Sequence, residues 1–312
     1  MQTIPRTFTR TCRVSRSTAL LSRFNHTQSP VPPPQPTATS SQPGSSSSTT
    51  HFGYRTVASE EKENLVKNVF SSVASSYDVM NDAMSLGVHR LWKDDFIKLL
   101  RPGSKGPARC MDVAGGTGDI ALRMLDWARE TYADRETRVE VVDINPEMLK
   151  EGERRFKKTM YYNTSQISFH EANAQELPPE RFPSNSYDLY TIAFGIRNVT
   201  SIPDVLKEAH RVLKPGGTFA CLEFNKVTNP ILGQLYDQYS FSVIPLLGTI
   251  LAGDRESYQY LVESIRKFPS QQDFARMIGE AGFATGGNFE GDGGAWRDLW
   301  GGIACIHTGV KI

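Results

Sequence analysis

Met111-Asp112-Val113-Ala114-Gly115-Gly116-Thr117-Gly118-Asp119 is an apolar β-type run that ends in a glycine-rich turn, and a helical pattern over 119–132 follows at once. Strand, glycine turn and helix in that order let the backbone approach a ligand closely, because no Cβ stands in the way. Read as Gly116-x-Gly118-x-x-Ala121, the turn fits a dinucleotide fingerprint, which alone is weak evidence for any one ligand. Further β-type runs at 139–142, 167–170, 187–194 and 218–223 alternate with helical patterns at 146–158 and 203–213. Such alternation specifies βαβ units with right-handed crossovers, hence an α/β fold with a mostly parallel sheet. Helical patterns within 230–266 and 270–281 and two more β-type runs, 283–289 and 301–307, complete the chain. Upstream, Leu65, Val66, Val69, Phe70 and then Leu91, Trp92, Phe96, Leu99 recur at 3–4 spacing and predict a helical preamble over 59–101.

The 312 residues allow two domains or one large α/β domain with appendages. From residue 1 to 59 there is no Asp, Glu or Lys but there are six Arg, so this segment carries +6 and leaves about −5 for the rest of a chain of net charge +1. A mildly acidic body lacks the clustered Lys and Arg that phosphate affinity needs, so no nucleic-acid partner is expected. Arg-rich, Ser/Thr-rich and acid-free sequence predicts a mitochondrial transit peptide over 1–26, since the best apolar run there, Ala19-Leu20-Leu21, is too short for a secretory signal. Residues 27–54, rich in Pro, Ser and Thr, read as a disordered linker, and 55–312 as one catalytic domain. No apolar run reaches the roughly 18 residues of a membrane span. Cys12, Cys110, Cys221 and Cys305 form no C-x-x-C pair, so neither a disulfide framework nor a structural metal is expected.

The surroundings of the turn carry more than the turn itself. Asp112 and Ala114 before Gly116 and Gly118 give acid-x-small-x-Gly-x-Gly, which resembles the first motif of class I S-adenosylmethionine (SAM) methyltransferases. The resemblance implies a Rossmann-like, seven-stranded, mostly parallel sheet with helices on both faces, and SAM as methyl donor, with Thr117 in the loop. Asp143 ends the second strand 25 residues after Gly118, where a carboxylate accepts ribose hydroxyls, with Ile144 beside it; NAD enzymes use the same device. Asn145-Pro146 reads as helix capping. Asn173-Ala174 after the third strand resembles the position that brackets adenine in that superfamily, a strand-end Asn by itself reading as a turn residue.

Two stretches are more specific. Tyr77-Asp78-Val79-Met80-Asn81 with Met84-Ser85, His89 and Trp92, and Arg211-Val212-Leu213-Lys214-Pro215-Gly216-Gly217 through Leu222-Glu223-Phe224, resemble the two signatures of the ubiquinone/menaquinone-biosynthesis C-methyltransferases. Phe194-Gly195-Ile196-Arg197-Asn198-Val199 matches the fourth-strand exit of the same family, and the resemblance spans about 60–312. It implies C-methylation of 2-methoxy-6-polyprenyl-1,4-benzoquinol in ubiquinone synthesis, in the mitochondrial matrix, peripherally on the inner membrane and with other ubiquinone-biosynthesis proteins in a complex. Asn225 replaces the family's Ser, Ala193 its small polar residue, and 291–300 is expanded, read either as a surface hairpin loop or as a lid or partner contact.

Carbon in a hydroquinol becomes strongly nucleophilic only as its hydroxyl loses a proton, so a base, a water relay or a positive group at the phenolate is required. The resemblance points to Arg197 with Asn198; in the family the corresponding Arg is proposed to start deprotonation. A guanidinium with a pKa above about 12 is a poor base, so Arg197 is expected as phenolate stabiliser, with a structural salt bridge as the plain alternative. On that reading Arg197→Lys retains some activity and Arg197→Ala loses most turnover with SAM affinity nearly unchanged. Tyr77 and Asp78 are candidates over the pocket, a packing Tyr and a capping Asp being equally consistent; His89 and Trp92 read as helix-holding residues. Apolar residues within 236–251 suit a polyprenyl channel, core packing or a homodimer interface alike. The rivals are an NAD-dependent oxidoreductase, which leaves Asp112, Asn173 and the first signature unexplained, and a non-catalytic SAM-fold subunit, against which the intact loop and Asp143 speak.

Overall fold

The strand-turn-helix around Asp112 forms the centre of a sheet whose neighbours along the path are 167–171, 138–143, 109–113, 187–193, 213–224, 304–311 and 283–284, with 296–299 also paired to 304–311. The computed structural model describes residues 49–73, 82, 85, 87–228, 233–234, 238, 255–286 and 295–312. Strands β3 (Arg109–Val113), β4 (Arg138–Asp143), β5 (Ile167–Glu171), β6 (Tyr187–Ala193) and β7 (Leu213–Phe224) run parallel; β10 (Ala304–Lys311) is antiparallel to β7. From β3 the chain winds outward through β4 and β5, then crosses back to β6 and β7. The strand order therefore reverses between β3 and β6, and a crevice opens at their carboxyl ends, where ligands bind in doubly wound sheets.

Alternate residues of each strand face opposite layers, as period-2 geometry requires. Cys110, Val139, Val141, Leu189, Ala220 and Leu222 pack under α2 (Val88–Leu100), α3 (Asp119–Tyr132) and α4 (Pro146–Phe156). Met111, Val113, Val142, Tyr190, Ile192 and Cys221 pack under α5 (Ile202–Val212) and α7 (Gln271–Glu280). The three described cysteines are buried and free. Among the described residues no helix is long and apolar enough to cross a membrane, and no group of His, Cys, Asp and Glu is arranged to hold a metal.

The structure corrects the sequence reading at both ends. Residues 49–54, assigned above to the linker, are ordered: β1 (Thr49–Phe52) and β2 (Arg55–Ala58) form an antiparallel hairpin that leads into α1 (Ser59–Val73). Phe52 holds it down by stacking on Tyr260 of α6 (Arg255–Lys267), with ring centroids 4.1 Å apart and 12° between planes. Phe52→Ala should lower unfolding free energy by about 1–2 kcal/mol, combining the aromatic pair with part of the ring's burial; an unchanged thermal midpoint would show the hairpin to be dispensable.

At the other end, β8 is only Phe283–Ala284, and β9 (Trp296–Leu299) lies on the same edge of β10, so 296–299 of the expanded segment is edge strand, not hairpin loop. The last strand starts at Ala304, because Trp300–Gly302 makes a 3-10 turn with Gly301 at φ +70°. Residues 287–294 and 239–254, including most of the apolar 236–251 run, lie outside the described residues.

Candidate active site

A cavity of about 1150 Å³, counted to its open mouth, sits at the β3/β6 reversal. Its floor is the loop 112–119. Ala114 at the end of β3 and Phe194 at the end of β6 both have left-handed backbone, φ +49° and +57°, an arrangement that side-chain-bearing residues adopt at a cost and that clusters at functional sites. Gly195 permits this pair of strand ends to touch: a Cβ there would stand 2.5 Å from the Ala114 Cβ. Gly118, at φ +73°, caps α3.

Carboxylates surround the loop. Asp112 is fully buried; Thr191 Oγ1 donates to its Oδ1 at 2.8 Å, while Oδ2 has no partner. Burial pushes the Asp112 pKa up to about 7, against the Thr191 hydrogen bond. Asp143 clamps two loops, with Oδ2 accepting from the Gly116 N–H at 2.9 Å and Oδ1 from the Asn145 N–H at 2.8 Å; burial raises it to about 6 despite these bonds. Asp119 is paired with buried Lys93 at 2.7 Å, and both line the cavity. Thr117 Oγ1 accepts from Arg155 Nη1 at 3.2 Å.

Beyond Asp143, Val142, Ile144, Met148, Ala172 and Ala174 form an apolar slot. Asn173 closes its rim, but Oδ1 is already taken by the Gln175 N–H (3.0 Å) and Nε2 (3.2 Å), an Asx turn. Gln175 in turn accepts from Thr200 Oγ1 and the Ser201 N–H, tying this loop to the start of α5. Asn173 is thus placed at the slot, and its remaining free group is the amide nitrogen. Asn145 caps α4 through the Glu147 N–H, as read from the sequence.

Several wall residues carry no sequence signal of a binding site, although Val66 and Phe70 belong to the helical stripe of the preamble. Glu63, Val66, Lys67 and Phe70 of α1 roof the cavity, pinned by Asn145 Nδ2, which donates to the Lys67 carbonyl (3.2 Å) and Ser71 Oγ (3.1 Å). Gly152 of α4 lets the helix press on the loop: a Cβ there would meet the Gly116 carbonyl at 3.0 Å and the Phe169 ring at 2.7 Å. Their partners come from other elements, 17 to 78 positions away, so no local pattern betrays them.

Asn198 is in the cavity wall, whereas the Arg197 side chain is not. Arg197 Nη1 donates to Glu223 Oε1 and to the Phe194 carbonyl, both at 2.7 Å, with only 5% of the Arg and 1% of the Glu side chain exposed. The expected free cation at a phenolate is here a neutralised, buried ion pair, the salt-bridge alternative. Tyr260 OH donates to Asn198 Oδ1 at 3.0 Å, leaving the Asn198 amide nitrogen to the cavity. His89, hydrogen-bonded to Ser85 (2.7 Å) and lowered to about 4 by burial, and Trp92, packed on Phe194 and Phe224, join the preamble to the sheet. Tyr77 and Asp78 lie outside the described residues.

The donor set fits SAM better than a dinucleotide. The unpartnered Asp112 oxygen beneath Ala114 and Gly115 suits a cationic ligand, Asp143 a ribose, and the slot past Met148 an adenine; a pyrophosphate here would face three carboxylates. Sheet order and cavity define a class I SAM-dependent methyltransferase. The chain belongs to the ubiE/COQ5 methyltransferase family, whose profile matches residues 55–311. It is 57% identical to the mitochondrial 2-methoxy-6-polyprenyl-1,4-benzoquinol methylase of Schizosaccharomyces pombe, over 88% of this chain and 89% of that one. Its identity to the protein of the same name in Danio rerio is 49%, covering 84% of each. The ubiquinone/menaquinone biosynthesis C-methyltransferase UbiE of Brucella canis is 50% identical, over 84% of this chain and 90% of its own length.

The raised carboxylates give a pH dependence with a defined sign. A cation bound beside Asp112 and Asp143 favours their ionised forms and lowers both pKa values, so binding releases protons near neutrality. SAM affinity should therefore rise between about pH 5 and pH 8, and calorimetry at pH 6.5 in two buffers of different ionisation enthalpy should register proton release; proton uptake would sink this placement. In the ligand-free protein the same two groups favour folding at low pH, and that contribution is lost as pH rises from about 4 to 7.

Proposed function

We propose that this chain methylates a ring carbon of a 2-methoxy-6-polyprenyl-1,4-benzoquinol with SAM, in ubiquinone biosynthesis, and that it does so in the mitochondrial matrix, peripherally on the inner membrane. The reading draws on the relatives' names and on one observation above all: a buried carboxylate with an unpartnered oxygen under the glycine loop, which calls for a cationic ligand. The acid-free, Arg-rich segment 1–26 is the import signal of that proposal, and other ubiquinone-biosynthesis proteins, or a second copy of the chain, are its partners at the membrane.

SAM supplies an activated methyl group when bound. Asp112 sets the charge under the loop, Asp143 and the Gly116 N–H fix the loop against the ribose position, and Asn173 with Ala174 borders the adenine slot. Tyr260, whose pKa burial pushes up, stays protonated and orients Asn198 so that its amide nitrogen donates toward the acceptor. Arg197, matched by Glu223, acts as a positioning residue: it holds the Phe194 carbonyl and the left-handed turn from which Gly195 and Asn198 follow.

Purified full-length protein incubated with labelled SAM and a short-tailed quinol should place label on a ring carbon in the lipid fraction. SAM binding without transfer would overturn the catalytic reading in favour of a scaffold subunit.

A further inference from the structure

A second cavity, about 790 Å³, backs onto the first, with Val199 and Thr200 in the walls of both. Its charged and polar lining comes from four directions: His51 on β1, Lys62 on α1, Arg197 after β6, and Tyr260, Ser264 and Lys267 on α6. Among the described residues no carboxylate lines it.

Of its cations, Arg197 is matched by Glu223 at 2.7 Å, while Lys267 and His51 are exposed and solvated. Lys62 is different. It is 5% exposed, its Nζ donates to the Val199 carbonyl at 2.6 Å, and no carboxylate partners it among the described residues. On its own helix Glu61 is exposed and Glu63 lines the cofactor cavity instead. A buried ammonium without a counter-ion is costly, and an anion arriving in the cavity would remove much of that cost.

We propose that Lys62 supplies the positive charge that holds the anionic ring oxygen of the acceptor, in this second cavity, during methyl transfer. The inference rests on the proposed function and assigns to Lys62 the charge role that the sequence had pointed to in Arg197. Lys62 forms and breaks no bond: the ring hydroxyl passes its proton to water, and the ammonium stabilises the oxygen left behind, which makes the ring carbon nucleophilic. Burial lowers Lys62 to about 8, so it is charged near neutrality and loses its charge just above.

The test is methyl-transfer kinetics of the full chain with saturating SAM and a short-tailed quinol, for wild type, Lys62→Gln and Lys62→Arg, between pH 6.5 and 9.5. Expected are a wild-type kcat/KM for the quinol that falls as pH rises through about 8, a fall of about 100-fold in kcat for Lys62→Gln with SAM affinity within about twofold, and a Lys62→Arg enzyme that recovers most of the rate and lacks the alkaline fall. Inorganic phosphate, which shares the oxyanion chemistry, should compete with the quinol in wild type and not in Lys62→Gln. Wild-type kcat and pH profile in Lys62→Gln would overturn the proposal. So would a rate that rises through pH 8 and vanishes in Lys62→Arg, which would make Lys62 a base, and so would phosphate binding that leaves quinol kinetics untouched, which would mark a separate anion site. If Lys62→Gln fails to fold, the pH profile of Lys62→Arg decides alone. A wild type that binds SAM but transfers to no quinol refutes the proposed function instead, and does so before any Lys62 variant is compared.

Discussion

Asp143→Ala is expected to raise the SAM dissociation constant at least about 100-fold while leaving the protein folded. The carboxylate accepts from two backbone donors, Gly116 N–H and Asn145 N–H, that come from different loops. Hydrogen bonds to a charged acceptor contribute about 1.5–3 kcal/mol each, and their loss frees the glycine loop as well as deleting the ribose acceptor. A 100-fold change corresponds to about 2.7 kcal/mol, which that loss covers without invoking any other contact. Asp143→Asn keeps one carbonyl oxygen but introduces an amide that faces one of the two N–H donors, so an intermediate loss near tenfold is expected. Calorimetric titration of SAM reads both variants; binding within threefold of wild type in Asp143→Ala would remove Asp143 from the cofactor site.

Local order was legible in the sequence to the degree that one element decides it. The run 111–119 is a strand, a turn and a helix N-terminus because its apolar alternation, its glycines and the following 3–4 spacing all concern neighbouring residues, and the structure keeps all three. The alternation of β and helical runs likewise fixed the parallel sheet, since right-handed crossovers leave few topologies open. Periodicity tells which face of a helix is buried, however, not what it is buried against. The stripe on α1 is evident, yet only the Asn145 to Lys67 contact, across 78 positions, turns that helix into the roof of a cavity. For the same reason the sequence leaves Arg197 open between a phenolate stabiliser and a salt bridge: the buried Glu223 that neutralises it comes from the next strand, 26 residues on. The hairpin 49–58 was missed because Thr49, Thr50 and His51 continue a polar composition, and a single aromatic, Phe52, carries the docking.

The Arg197–Glu223 pair yields the largest effect on stability. Both partners are almost fully buried, and removing either leaves the other's charge in a site that cannot solvate it. Burial already raises the Glu223 pKa against the pull of Arg197, so Glu223 deprived of that cation would take up a proton more readily still, whereas the guanidinium has no such escape. Glu223→Gln should therefore be the more damaging single change, costing about 3–5 kcal/mol, with Arg197→Met less severe by a margin that grows as pH falls. The double variant Arg197→Met, Glu223→Leu buries no charge and should recover most of the loss, a coupling visible in a double-mutant cycle of chemical denaturation. Its methyl-transfer rate should stay below wild type all the same, because the Phe194 carbonyl has lost its Nη1 donor and the turn at φ +57° its restraint. The contrary pattern is as definite: Arg197→Ala that melts at the wild-type temperature, binds SAM normally and turns over nothing would return the arginine to the role of a charge acting directly on the acceptor, and Arg197→Lys would then rescue activity without any change in stability.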